Sequence, residues 1–562
     1  MNTNGLAGAE SFSLITSPLI PVHYTNCDQI NNISLKQLLS DAHLIERIAK
    51  PEMEEIALLR QILLPLVIDI LGSFNTDDEW KDQWNIGHFD KVGIREYFTE
   101  CADLFFLFDK EKPFGQVADL ESTSEKTKPS QVLLPSLPSG NNVPLFVPIH
   151  DGLSAKLTPS EAFFSLLITQ SWAVAGIATG MKNDPLVKAG KTTGNRIPPT
   201  ASIGLVIPLG RNLFETIMLS LVVSAGDLPD SDDAPSWRSS SSSTATWSER
   251  PAVGIRDYLS YPSRRIRLFP EITEGGALIV ERVLLGAGDR LPFINPNYEP
   301  HAMWRKNSSK SNTQVTHFPL RHRSDRESWQ GLASLLAVSE RKETELMTTS
   351  TLRQIARFRQ TGVIESTYPL KVLLLGVEYG TQNAVIENLI VDEIPLPVTA
   401  LAEESAIREF LEKIVQQSEN VRNHLNHLQK RILEASKTRQ EWDKGSWAGE
   451  QFIQSISVQV MRILSILTNR PENINEIQEI WAVGARKLAL DAGKKLIAKA
   501  LQSPTAWHTD KTDHNGKSKL TPNIPMADVF FRSAIHKEFP RPQELQSTDT
   551  YSITAAEGAD HV

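Results

Sequence analysis

Cysteine is almost missing from this chain: Cys27 and Cys101 are the only two in 562 residues, and they form no CxxC pair. That scarcity excludes a disulfide framework and a cysteine-based zinc site, and it points to a reducing cytoplasm. Long apolar runs are missing too. A membrane span needs roughly 18 consecutive apolar residues, and the best candidate, ALLRQILLPLVIDILGSF, is interrupted by Arg60 and Asp69. The opening residues MNTNGLAGAESF carry neither a positive start nor an apolar stretch, so no secretory signal is expected. Positive charge is the third shortage. The net charge is −9, which counts against the basic footprint of a nucleic-acid binder. A local basic stripe on an acidic protein still serves that purpose.

Catalytic signatures are also lacking. No Ser/His/Asp or Cys/His arrangement is found, and LLGAGDR is a dinucleotide fingerprint without its last glycine. DPLVKAGKTTG resembles the end of a phosphate-binding loop, but Pro185 stands where that motif requires glycine. It reads better as a surface loop whose Lys182, Lys188, Lys191 and Arg196 meet phosphate as point charges. His424 and His427 share one helical face without a third metal ligand nearby. Asp227, Asp230, Asp232 and Asp233 crowd a Pro- and Ser-rich turn, and the alternative functions are a metal-dependent nuclease built on them or a helical scaffold protein. The main reading is a protein that is not an enzyme and uses no cofactor or metal.

The fold class is α+β. At about 150 residues per domain the length allows three or four domains, or two large ones. Residues 1–395 read as a large mixed domain, with mobile loops near 118–143 and 226–250, the latter carrying the low-complexity run SSSSSTATWSE. The segment Leu35–Leu71 reads as mostly helix, capped by Ser34 and divided or kinked at Pro51 and Pro65. Helices are also expected over PSEAFFSLLITQSWAVAG and NLFETIMLSLVVSA, with a loop from Gly176 to Asn195. Beyond EIPLPV the character changes. Ile407, Leu411, Ile414, Val421, Leu425, Leu428 and Ile432 recur at three and four residues, broken only by Ser418. With three further amphipathic segments this predicts an antiparallel four-helix bundle over 398–542, and then an unstructured tail over 543–562.

Two features remain. YPLKVLLLGV and AVIENLIV read as strands around the polar tip Gly380-Thr381-Gln382-Asn383. Basic residues cluster in SRRIRL (Arg264, Arg265, Arg267), in HAMWRKNSSK (Arg305, Lys306, Lys310) and in RHRSDR (Arg321, Arg323, Arg326), interleaved with Trp304 and Trp329. Solvated charge and nucleic-acid contact are both open readings of these clusters. On a strand, Arg265 and Arg267 would face one side and Ile266 the other.

The order of motifs carries more than any of them alone. SPLIPV, SLKQLLSDAH, WNIGHFD, LFDKEKPFGQV, SGNNVPLF, LITQSWAVAGIATG, LGRNLFETIMLSLV, DDAPSW, SRRIRL, AMWR, DRESWQGLASLL and GTQNAVIENLIVDEIPLP follow one another over roughly residues 13–400. This series resembles the large subunit of the type I-E CRISPR surveillance complex, Cascade. The resemblance implies a non-catalytic subunit that reads a short duplex tag, the PAM, from the minor groove and starts strand separation, while guide RNA reads the rest. It implies a glutamine wedge at Gln382, with Asn383 beside it, and a glycine loop over Gly176, Ile177, Ala178, Thr179 and Gly180. A mobile-loop aromatic would be Phe146. The family's lysine finger has no lysine here, and Arg282 is its suggested replacement. Possible DNA-backbone contacts are Lys188, Lys191, Arg264, Arg265, Arg267, Arg282, Arg305, Lys306, Lys494 and Lys495. Implied partners are the backbone, small helical and guide-end subunits, the CRISPR RNA, double-stranded target DNA and a helicase-nuclease, with no membrane.

Overall fold

The computed structural model describes residues 11–135, 155–224, 232–307, 317–338, 345–435, 447–501, 511–512, 518–519 and 524–540. The chain forms two compact units, both mixing or supplying helices around their own cores. The first takes residues 1–326 and 337–394; the second takes 395–562 and also 327–336. The step at 394–395 falls where the composition shifts, but 327–336 belongs with the C-terminal unit.

In the first unit, β1 (Ile20–Tyr24) pairs antiparallel with β2 (Ile30–Ile33) and β3 (Ile45–Ile48). Helix α1 (Leu35–Ser40) opens on Ser34, whose hydroxyl accepts from the Gln37 amide at 3.3 Å. The segment 35–71, expected to be mostly helix divided or kinked at Pro51 and Pro65, is also broken earlier, by the strand β3. Ile45 and Ile48 are buried at the two ends of a strand whose register against β1 shifts at Glu46, not as one stripe of a helix. Helices α2 (Glu52–Leu58) and α3 (Leu64–Leu71) are joined by one π-turn, Leu59–Leu63. Pro65 follows just after that π-turn within one continuous helical run, and it has no N–H to donate to the turn before it.

Residues 118–135 are not the mobile loop the composition suggested. Strand β4 (Lys128–Pro129) pairs with a later strand, and Leu120, Ser130 and Leu133 are buried. Helix α4 (Pro159–Trp172) starts from a full capping box between Thr158 and Glu161. Next, β5 (Gly176–Thr179) and β6 (Lys191–Asn195) make a two-stranded ribbon, which replaces the expected loop. Strand β7 (Leu205–Leu209) leads into α5 (Leu213–Ser220).

From 232 the serine-rich stretch is stitched into the first unit at both ends. Asp233 caps α6 (Ile255–Leu259) by accepting from the Arg256 and Asp257 amides, and Trp247 is buried. The long pair β8 (Arg264–Ile272) and β9 (Leu278–Ala287) follows, and β4 lies against β9. Strand β10 (Trp304–Lys306) lies between β11 (His317–Pro319) and β12 (Leu346–Met347). Strand β13 (Lys371–Tyr379) is central, between β7 and β14 (Ile386–Pro395). Its run Val372–Val377 is buried throughout, as a strand covered on both faces requires.

In the second unit, α7 (Ala406–Ala435), α8 (Ala448–Asn469), α9 (Ile474–Leu501) and α10 (Ile524–Glu538) pack on one another, with α7 touching all three others. Every residue of the predicted α7 stripe is buried. Ser418 is fully buried as well; its hydroxyl donates to the Ile414 carbonyl at 2.8 Å, so the break in the pattern is satisfied within the helix. Gly493 of α9 lies against the Phe531 ring of α10, leaving no room for a β-carbon.

Candidate nucleic-acid interface

The tip between β13 and β14 is built by backbone closure. The Gly380 amide donates to the Val385 carbonyl, and the Asn383 amide donates to the Gly380 carbonyl, both at 2.9 Å. Gln382 and Asn383 are consecutive left-handed residues, at φ 59° and 54°. Neither is glycine, and holding a non-glycine residue there costs about 1–2 kcal/mol, less for Asn. Gln382 is exposed, and among the described residues its side chain makes no hydrogen bond. A strained, exposed, unbonded amide at a rigid tip is the pattern of a residue kept for an outside partner.

The structure ties this tip to the root of the β5–β6 ribbon. The Ala175 amide donates to the Asn383 carbonyl at 2.9 Å. Behind it, the Tyr379 hydroxyl donates to the Trp172 carbonyl at 2.9 Å. A neighbouring segment is anchored too. Ser324 donates its amide (2.9 Å) and hydroxyl (2.6 Å) to Glu378, and Asn388 joins that carboxylate across the hairpin at 2.9 Å. These donors hold the Glu378 carboxyl below its usual pKa. His322 lies over Gly204, where a β-carbon would fall 2.8 Å from its backbone nitrogen, and closely over Gly376, where it would fall 3.2 Å from its Cβ. Its neighbour Arg321 lines the same cleft as the tip.

Of the expected glycine segment, Gly176 and Ile177 are exposed, Ala178 and Thr179 are half-buried and Gly180 is buried. Gly176 has a φ of 148° and open space around it. Gly180 is different: a β-carbon there would lie 2.7 Å from Val187 and 2.9 Å from the Gly190 backbone. Its glycine is required by the ribbon's own packing. At the far end, Lys188 and Lys191 flank a two-residue turn, Ala189–Gly190, with φ 50° and 73°. That positive-φ pair is the preferred tight hairpin connection, and it leaves both lysines exposed.

Two of the predicted backbone contacts are corrected. Arg264 and Arg265 are buried, at 7 % and 1 % exposure. Arg264 donates to the carbonyls of Ser263, Val174 and Arg196. Burial pushes its guanidinium down to about 10. Arg265 donates to the carbonyls of Thr244, Pro262 and Thr246 and pairs with Asp289 at 3.0 Å. Both faces of β8 are covered at this end, so alternation does not bring arginine to solvent. Arg267 and Arg282 lie over the Phe269 ring from 5.5 and 5.7 Å, and Arg282 is held by Glu271 at 2.7 Å. Arg305, Lys306, Lys494 and Lys495 are exposed. Phe146 and Lys310 lie outside the described residues, as do Asp227, Asp230 and the 543–562 tail.

Among the described residues the alternative nuclease site does not assemble. Asp233 is buried and committed to capping α6. Nε2 of His424 stands 3.8 Å from Glu538. Among the described residues no three His, Cys, Asp or Glu side chains gather as a metal would need, and no helix is long and apolar enough to cross a membrane.

A cleft of about 510 Å³ opens beside the tip. Gln382, Asn383, Ala175, Arg196, Arg290, Arg321 and Phe293 line it, with buried Arg264 beneath. Arg290 went unnoticed in the sequence. Its guanidinium lies 4.0 Å over the Trp247 ring and donates to the Thr193 carbonyl at 2.5 Å. Trp247 in turn donates to Asp184 at 2.9 Å. Only tertiary contact joins Asp184, Trp247 and Arg290, so no local pattern could have singled that arginine out.

Residues 13–492 match the family model described as CRISPR-associated protein Cse1. A curated relative, CRISPR-associated protein CasA/Cse1 of Thermus thermophilus, is 27 % identical over 437 residues, covering 76 % of this chain and 79 % of that protein. The crystal structure of Thermobifida fusca Cse1 matches with a TM-score of 0.82 at 27 % identity, covering 95 % of this chain and 98 % of that one. A chain of a solved CRISPR RNA-guided surveillance complex shares the fold, with a TM-score of 0.65 at 16 % identity over 93 % of this chain and 99 % of that one.

Proposed function

The chain belongs to the CRISPR-associated Cse1 family, and from that membership we propose that it serves as the non-catalytic large subunit of a type I-E Cascade complex, reading the PAM and starting duplex opening. The observation that carries the reading is Gln382: an exposed amide with a left-handed backbone at a hairpin tip that is bonded to the ribbon root through Asn383 and Ala175. A tip pushed between base pairs must offset an unstacking cost of a few kcal/mol per step. A rigid support makes that push effective, and an amide replaces hydrogen bonds lost by the parted bases. The ribbon at Gly176–Gly180 would lie along the minor groove, where A·T and T·A look alike, so several PAMs should be tolerated.

In this reading the second unit is an antiparallel four-helix bundle. Lys494 and Lys495 of α9 would meet the displaced strand, and the remaining subunits and CRISPR RNA would hold the chain in place. Lys188, Lys191, Arg305 and Lys306 are exposed cations that would meet phosphate. Strand cleavage would fall to a helicase-nuclease recruited after opening.

A PAM-library binding assay on the reconstituted complex tests this reading. Gln382→Ala should lower PAM-dependent duplex binding at least tenfold while the complex still assembles with its RNA. Equal binding by the two complexes across the library would refute it.

A further inference from the structure

The cleft beside the tip has an electrostatic problem that the protein does not solve for itself. Arg264, Arg290 and Arg321 make no ion pair among the described residues; they donate to carbonyls instead. Asp289, the carboxylate in the wall, is spent on Arg250 and Arg265, at 2.9 and 3.0 Å. Arg196 has only Glu249, at 3.3 Å and half exposed. The guanidiniums repel one another. Burial, and then Arg196, push the Arg290 guanidinium below its ordinary pKa, and Arg290 does the same to Arg264 after burial. Nε of Arg290 is buried without a partner. Glu249 and Asp184 offset part of this repulsion on Arg290, but neither forms an ion pair with Arg264, Arg290 or Arg321 among the described residues, and a bound anion would supply the partner those three lack.

The remaining lining narrows the anion's chemistry. Phe293 is an exposed aromatic, at 38 % of its surface, in a cleft whose lining also holds aliphatic residues, prolines, arginines and amides. Aromatic faces stack any base, at about 1–3 kcal/mol each. The volume lies within the roughly 300–1,000 Å³ typical of small-ligand sites. Gln382 and Asn383 stand on its rim, so a base parted at the tip is already at the cleft mouth.

We propose that this cleft captures one unpaired nucleotide, its phosphate held by Arg196, Arg290 and Arg321 and its base lying on Phe293. The proposal rests on the duplex-opening reading above and adds what keeps the opened pair from closing. Capture makes opening a two-part device: the tip separates, and the cleft holds.

The test uses the reconstituted complex at saturation and duplexes carrying 2-aminopurine at the first position past the PAM, in one strand or the other. This base brightens when it leaves the stack. Wild-type complex should brighten one of the two duplexes, which identifies the strand captured. Arg321→Gln and Phe293→Ala, both at exposed positions, should each cut that emission at least fivefold per bound duplex, and Arg321→Lys should restore much of it. Unchanged emission in both variants would overturn the proposal. So would the absence of brightening in either strand when permanganate shows thymines further along to be open. Thymines that stay closed in the wild-type complex would instead overturn the opening reading, and capture with it.

Discussion

Arg60 and Glu299 face each other as a two-pronged pair, at 3.0 and 2.6 Å, with both side chains out of reach of solvent. The Tyr258 hydroxyl donates to the same carboxylate at 2.7 Å, and the His301 amide donates to it at 2.8 Å. Arg60 belongs to the π-turn, so the irregular turn places a cation where the first unit needs one. Glu299→Gln would strand that cation and should cost about 3–5 kcal/mol. Replacing both partners by apolar residues should cost much less. Denaturant unfolding of the single and double variants measures the difference.

Stability should fall as the pH drops below about 6.5, the ordinary histidine value. Burial, then Arg60, hold His301 well below that value, and burial lowers His322 as well. The unfolded chain therefore takes up protons that the folded chain refuses, and folding weakens in acid. Glu55 has the opposite sign. Burial raises its carboxyl to about 7, although Arg47 pulls it down. Its contribution is present below about 4.5 and lost as the pH rises through about 7. Glu55→Gln should therefore lessen the loss of stability from pH 6 to pH 8, and thermal melts across that range report it.

Gly493→Ala places a methyl group against the Phe531 ring. Overpacking of this kind costs about 1–3 kcal/mol. A lowered melting temperature of the second unit, with the first unit's unfolding unaffected, is the expected outcome.

Lys188→Ala with Lys191→Ala tests phosphate contact by the ribbon turn. Each lost contact should reduce the salt slope of duplex binding by about 0.9. Affinities measured from 50 to 200 mM salt should fall along a slope shallower by nearly 2 if both lysines touch backbone, and an unchanged slope would rule the turn out.

What the sequence made legible was local. The α7 stripe was readable because its period repeats over many turns, and the Ser34 cap because it needs only three residues. The polar tip at Gln382 stood out between two apolar runs. Long-range facts were hidden. Arg264 and Arg265 look like surface cations until α4 and the 244–246 backbone are found lying over them. The serine run looks disordered until Trp247 is found bonded to Asp184, and Ile45 looks helical until β3 pairs with β1. Motif order supplied the glycine segment and the tip as separate devices; their union through Ala175 and Asn383 required coordinates.

That union has an engineering consequence. Moving Gly380–Val385 alone onto another scaffold would leave the Asn383 carbonyl without its tether and the left-handed pair without its support. A working transplant has to bring Trp172, Ala175 and Tyr379 along, so the smallest portable part is a three-element cassette drawn from residues two hundred positions apart.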